Sequence, residues 1–206
     1  MNDVSPPVDP YQGYRALRDD APICQLEAGG PWQISRHADV HQVLKDNAAN
    51  PEALLGLARV KIDKGVNLEQ ARVLLASAAR VNPAHPTLHK LRAQLKIDEE
   101  DYDGAIKSLQ QSLAVNTNDI EARTLLAACH YLKDDKQGYH RERKRVLKIN
   151  PRAASFYTTV AQFGARVHRY EEAIGLGLKA LKVDPSYWPA FVELGIGYTR
   201  TGDDKK

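Results

Sequence analysis

Four histidines stand in two pairs spaced four apart, His37 with His41 and His85 with His89. On one helical face such a pair can share a metal ion. No glutamate follows His37 or His85 in the HExxH arrangement, and no third ligand is evident. A closed zinc site needs more ligands than this, so both pairs are expected to be structural or solvated, with no metal and no cofactor. Cys129 stands beside His130 and suggests a nucleophile with its base. Neighbours on a helix point about 100° apart, so the two do not face each other and a small buried thiol is expected. Arg141 to Arg145 (RERKR) with Lys148 form a basic run of the kind that can bind nucleic acid. The run holds Glu142 and no aromatic platform, so a solvated face and no nucleic-acid partner are expected. Gly175 and Gly177 lie inside AIGLGLKAL, with no strand before them, and close packing is the expected reason. No catalytic residue emerges.

A repeating helical frame places these residues. Val81, Val115, Ile149 and Val183 fall 34 residues apart without a gap, as do Asn82, Asn116, Asn150 and Asp184. Thr117 alone interrupts the proline column of Pro83, Pro151 and Pro185. With units starting at Glu52, Pro86, Ile120, Ala154 and Trp188, position 8 reads Arg59, Ala93, Ala127, Ala161, Gly195. Position 20 reads Ala71, Ala105, Tyr139, Ala173. Helices approach to about 8–10 Å, and small contact residues suit the close end of that range. Position 28 reads Ala79, Leu113, Leu147, Leu181 and is expected on the buried stripe of a second helix. Each unit therefore reads as helix, turn, helix, turn. The residue before a proline avoids the helical region, which stops the second helix. Tyr139 breaks a small-residue column, so the two helices of the third unit are expected to splay or shift.

These columns resemble the tetratricopeptide repeat (TPR) over residues 52–206. DYDGAI (101–106) and RYEEAI (169–174) are similar to the family's most recognisable stretch, and WPAFVELGIGYTRTGD (188–203) to a further first helix. The resemblance implies an all-α, right-handed superhelical solenoid of helix pairs, preceded by a small mixed helix and hairpin segment. Four repeats would occupy 52–85, 86–119, 120–153 and 154–187, with an incomplete fifth at 188–206. It further implies a concave groove lined by positions 2, 5, 9, 12 and 13 of the first helices, holding a peptide or partner segment. The expected groove residues are Lys64, Lys90, Gln94, Thr124, Tyr131, Gln162, Arg166 and Arg200. One subtype clamps a terminal carboxylate with Lys and Asn in the first helix and Lys with Arg in the third. Gly56, Val60, Thr124 and Ala128 stand at those places here, so chaperone-tail recognition is not expected. The fifth first helix places Phe191, Leu194, Ile196 and Tyr198 together without a second helix, which points to self-association through that end or to a longer natural chain.

Residues 1–46 do not follow the period, and 47–51 read as a linker. The order is a helix after Asp9-Pro10-Tyr11, strands at Ile23 to Leu26 and Trp32 to Ser35, and a helix from about His37 to Lys45. DPYQGYRALRDDAP (9–22) and GGPWQISRHADVHQVLKD (29–46) resemble the N-terminal portion of a bacterial cytochrome P-450, a haem-thiolate monooxygenase. That family needs a cysteine thiolate in a glycine-bearing loop. Neither Cys24 nor Cys129 has that setting, and Glu121-Ala-Arg123 has the wrong spacing for the family's Glu-x-x-Arg pair. The segment reads as a fragment of such a fold joined to a repeat protein, by gene fusion, a misjoined gene model or design.

Composition fits this reading. Hydrophobic residues at 43% exclude disorder of the whole chain. The longest apolar runs fall far short of about 18 residues, so no spanning helix is expected. MNDVSPPVDP is unlike a secretory signal, and two cysteines make no disulfide framework, so a cytoplasmic setting is expected. Residues 1–46 hold 4 Lys/Arg and 7 Asp/Glu, whereas 47–206 hold 25 and 19. The repeat region's surplus weakly favours acidic or mixed protein partners. A non-enzymatic interaction scaffold is the expected function. The alternative is an enzyme fragment: a P-450-type monooxygenase without its haem-binding part, or the TPR arm of an enzyme cut after Lys206.

Overall fold

The computed structural model describes residues 23–25, 32–34 and 50–202. Strands β1 (Ile23–Gln25) and β2 (Trp32–Ile34) pair antiparallel, with Ile23 opposite Ile34 and Gln25 opposite Trp32. This is the expected hairpin. The helices expected before and after it, the linker residues 47–49 and residues 203–206 lie outside the described residues.

The repeat region is helical throughout. Its helices are α1 (Pro51–Asp63), α2 (Leu68–Val81), α3 (Pro86–Asp98), α4 (Tyr102–Val115) and α5 (Ile120–Leu132). They continue with α6 (Lys136–Ile149), α7 (Ala154–Arg166), α8 (Tyr170–Val183) and α9 (Trp188–Thr201). α1, α3, α5 and α7 each pack on the next helix, α9 packs on α8, and the pairs stack along the chain. Among the described residues no helix is long and apolar enough to cross a membrane.

Local chemistry explains why the period survives sequence change. Asn82, Asn116, Asn150 and Asp184 all end their helices in extended backbone. Each side chain then accepts the N–H two residues on, at Ala84, Asn118, Arg152 and Ser186. The turn therefore rests on the Asx side chain, and Thr117 can replace the proline without losing it. The turns inside the pairs use a left-handed residue at Glu100, Asp134, His168 and Gly202, again 34 apart. Asp101 and Asp135 then cap α4 and α6 by accepting from the Gly104 and Gly138 N–H groups, both at 2.9 Å.

Two core clusters meet at α3. Leu88, Leu91 and Leu95 join the cluster of α1 and α2, whereas Ala93 and Ile97 join the larger one that runs on to α9. Ala93, Ala127 and Ala161 at position 8 are fully buried, as are Ala71 and Ala105 at position 20. Position 28 lies at the edge of the buried stripe, since Ala79, Leu113, Leu147 and Leu181 are half-buried and pack against the core. The fully buried column is its neighbour, position 27: Ala78, Ser112, Val146 and Ala180. A stripe on a 3.6-residue helix allows that one-residue rotation.

Tyr139 also behaves differently from expectation. α5 and α6 stay paired, and the displacement falls one step later, because α6 hardly approaches α7. The Tyr139 ring lies 5.9 Å from Phe156 on α7 and 6.1 Å from Tyr131 on α5. These rings hold α6 away, and α7 seats itself mainly on α5 instead. Gly177 does pack closely, since a Cβ there would meet Leu194 of α9 at 3.0 Å. Gly175 faces open space, so close packing does not account for it.

Candidate peptide groove

The first helices of four successive repeats enclose a groove of about 570 Å³. α1 supplies Ile62 and Asp63, and α3 supplies Gln94 and Asp98. α5 contributes Ile120, Glu121, Thr124 and Leu125. Ser155, Thr159, Gln162, Phe163 and Arg166 come from α7. The second helices contribute none of these. The apolar members can take side chains, and the amides and hydroxyls can meet backbone groups.

Its charges are largely paired. Arg166 Nη1 donates to Asp98 Oδ1 at 2.8 Å, joining α7 to α3, and its guanidinium lies 5.1 Å from the Phe163 ring centre. Lys90 is buried and bridges Asp119 at 3.0 Å and Glu121. Burial works against the charge on Lys90, but the two carboxylates outweigh it and raise its pKa above the ordinary lysine value. Arg59 approaches Glu121 at 3.8 Å from the first repeat. Asp63 has no ion pair among the described residues.

Of the expected groove residues, Gln94, Thr124, Gln162 and Arg166 come together here. Gln162 donates to Glu193 at 3.0 Å, and Thr124 spends its hydroxyl proton on the Ile120 carbonyl at 2.7 Å. The other four do not line the groove. Lys64 is exposed at the end of α1, and Arg200 is exposed on α9. Lys90 is spent on its carboxylates. Tyr131 donates to Glu172 Oε2 at 2.6 Å beneath the Arg169 guanidinium, and burial pushes its phenol well up. Ser155 holds position 2 of its repeat, as Glu121 does, whereas sequence reasoning missed Ile62, Ile120, Leu125, Thr159 and Phe163. Thr159 and Phe163 sit at positions 6 and 10, which hold Leu91, Leu125, Leu95 and Cys129 in the middle repeats. A hydroxyl and a ring in otherwise core columns were the available signal.

The residues considered for chemistry are placed otherwise. His85 accepts the Thr87 N–H at the start of α3 with Nδ1 and meets Glu52 at 2.8 Å with Nε2. His89 is buried with Nδ1 unpartnered. His37 and His41 lie outside the described residues. Cys129 is fully buried, and burial pushes its thiol up to about 12, so at neutral pH it is neither nucleophile nor thiolate ligand. Its neighbour His130 turns to Asp135 instead, at 2.8 Å. The basic run is not simply solvated, because Glu142 within it is 1% exposed.

Comparison with known proteins agrees with the helical-repeat fold. A thermophilic TPR protein of Thermus thermophilus superposes with a TM-score of 0.60 at 18% identity, covering 78% of this chain and 87% of that one. The described helical region has the tetratricopeptide-repeat fold. The TPR protein YrrB, whose structure is described as having an unusual peptide-binding site, gives a TM-score of 0.53 at 14% identity over 81% of this chain and 85% of that one. The hetero-tetramer of Cut9 and Hcn1 gives 0.58 at 16% identity, over 78% of this chain and 32% of that one. The family model described as tetratricopeptide repeat matches residues 38–95, so it begins upstream of α1. An 83-residue stretch is 35% identical to proteins named as cytochrome P-450 123 in Mycobacterium bovis and Mycobacterium tuberculosis. It covers 40% of this chain, and the chain spans about a fifth (20%) of those relatives' length.

Proposed function

We propose that this chain is a non-enzymatic protein-interaction scaffold that holds an extended peptide or partner segment along α1, α3, α5 and α7. The observation that carries the reading is the shared origin of the groove, whose lining comes from the first helix of each of four repeats. Its size and mixed lining suit a segment with apolar side chains and free backbone groups. Asp63 is a lining charge without an ion pair among the described residues, which favours a segment bearing a basic residue over the acidic partner that the region's overall charge favours. Two isolated cysteines and the lack of a spanning helix among the described residues suit work in the cytoplasm.

To test it, a peptide selected from a random display library against the full chain is measured by fluorescence anisotropy. Gln94→Arg places bulk and positive charge in the groove and should weaken binding roughly tenfold or more, with helical content unchanged. Unaltered affinity in that variant would move the site elsewhere.

The exposed side of α9 supports a contact between two copies. Trp188, Phe191, Val192 and Ile196 are exposed there, whereas Leu194 is buried and Tyr198 half-buried. Gly195 lies exposed at the register where Ala93, Ala127 and Ala161 are covered. Light scattering over a dilution series decides this, and a strict monomer at high concentration rules it out.

A further inference from the structure

A second cleft, of about 300 Å³, opens among α4, α5 and α6 and shares no lining residue with the groove. Gln110, Arg123, His130, Arg141, Glu142 and Arg145 line it. Its centre is a carboxylate that has left water, since Glu142 is 1% exposed. An ionised carboxylate tolerates that only when closely paired. Arg123 Nη1 reaches it at 2.8 Å, Arg145 Nη1 at 2.6 Å and Arg141 Nε at 3.5 Å. Arg123 is pinned further, because its Nε donates to the Thr117 carbonyl at 2.8 Å.

Three guanidiniums around one carboxylate leave a positive surplus, which the Asp135 carboxylate, held at 2.8 Å by His130 of the same lining, offsets only in part. A guanidinium also carries five N–H donors. Among the described residues, Nη2 of Arg123, Nη2 of Arg145 and both Nη atoms of Arg141 have no acceptor. Arg141 and Arg145 are half-exposed, so a ligand can reach them. Neutralising Glu142 accounts for one of these cations and not for three.

We infer that this cleft binds a phosphoryl dianion. A phosphate monoester carries about −1.5 to −2 charges at neutral pH, and its three acceptor oxygens match the guanidinium N–H groups left without acceptors. Guanidinium forks suit its geometry, and Arg123 and Arg145 are already oriented by Glu142. Free phosphate and a phosphorylated side chain of a partner protein share this chemistry.

The test uses the full chain and three probes: a short peptide with one phosphoserine, the same peptide unphosphorylated, and inorganic phosphate. Calorimetry gives the affinities, and the arginine Nε–H resonances in NMR report the place. The phosphorylated peptide or phosphate should bind and shift the signals of Arg123, Arg141 and Arg145, while the unphosphorylated peptide leaves them unmoved. Arg141→Ser with Arg145→Ser should weaken binding roughly tenfold or more. Circular dichroism should be unchanged, because Arg123 still pairs with Glu142. Tighter binding of the phosphopeptide than of phosphate assigns the source to a partner's side chain, and equal binding assigns it to free phosphate. Wild-type resonances that stay still with both phosphorylated probes would overturn the inference. So would a double variant that binds as well as wild type.

Discussion

The second and third repeats bury a nitrogen base at the same register. His89 in α3 and Arg123 in α5 are 34 residues apart, and so are Ser108 in α4 and Glu142 in α6. In the third repeat the two positions form an ion pair at 2.8 Å. In the second, Ser108 spends its hydroxyl on the Gly104 carbonyl at 3.0 Å, and His89 Nδ1 is left without a partner. Burial pushes the His89 imidazole below its ordinary range, with Arg92 and His85 adding to the effect and the Pro83 carbonyl acting against it. The first and fourth repeats fill the same positions with Leu55 and Leu74, and with Tyr157 and Leu176. The register is thus a buried one that tolerates an apolar pair, a complete ion pair, or a base kept neutral. A charge persists there only where a counter-charge comes with it.

The largest effect is expected from making the third repeat like the second. Glu142→Ser leaves Arg123 with a largely buried charge and no carboxylate. Breaking a buried pair from one side costs about 3–5 kcal/mol. Urea unfolding should show the loss as a lower midpoint with an unchanged slope. The inner ion pair of Arg166 with Asp98 is the contrast, since its side chains are 63% and 35% exposed. Asp98→Ala should cost at most about 1 kcal/mol, as exposed pairs do. Similar losses in both variants would show that burial does not separate the two sites.

Acid should reveal the opposite weakness in the second repeat. The folded-state pKa of His89 lies below its unfolded value of 6.5. The unfolded chain therefore binds the proton first as pH falls. The contribution is fully present above the unfolded pKa and is lost as pH drops through the lower, folded one. Unfolding free energy measured at a series of pH values from neutral downward should decline in wild type. The decline should flatten in His89→Leu, which also removes an unpartnered buried nitrogen. Ser108→Glu would give the imidazole a counter-charge at the register of Glu142, and the slope should then shrink or reverse. A wild-type slope that survives His89→Leu would place the acid sensitivity elsewhere.

The frame behind this comparison was legible because it repeats. Every unit start from Pro86 to Trp188 coincides with the first residue of a helix, and α1 begins one residue before Glu52. Spacing also separated small columns from large ones. Spacing did not show which charges are buried. Glu142 inside RERKR looks solvated by composition, yet it occupies a column otherwise holding Leu74, Ser108 and Leu176. Reading down the columns, a lone Arg at one buried position and a lone Glu at another predict the pair, whereas reading along the chain hides it. The groove was half legible for a similar reason. Gln94 and Arg166 follow from register, but the loss of Lys90 to Asp119 and Glu121 depends on partners at the start of α5. The shift of α7 onto α5 could not be read from Tyr139 alone, because Phe156 and Tyr131 determine where that ring fits.

The smallest expected effect lies in the turns, where the same two repeats differ once more. Glu100 and Asp134 both adopt left-handed backbone, with φ of 61° and 58°, at the register where Gly202 has 76°. For a residue with a Cβ this region costs about 1–2 kcal/mol, because the Cβ crowds the next carbonyl oxygen. Glycine escapes that cost but has more freedom to lose on folding. Glu100→Gly should therefore stabilise the protein by about 0.5–1 kcal/mol. For a domain of this size that is a rise in melting temperature of about 1–4 °C. In the third repeat the balance changes, because Asp134 accepts from Arg169 Nη1 at 2.7 Å and Nη2 at 3.1 Å. Asp134 is 73% exposed, so that fork contributes at most about 1 kcal/mol. Its loss in Asp134→Gly should cancel most of the backbone gain and leave the melting temperature near that of wild type. Arg169 also donates to the Tyr131 and Leu132 carbonyls, at 3.3 and 3.4 Å, so it should stay in place in that variant. Equal rises in the two single variants would show that the fork adds nothing. A fall in Glu100→Gly would show that the freedom of the unfolded chain outweighs the strain of the turn.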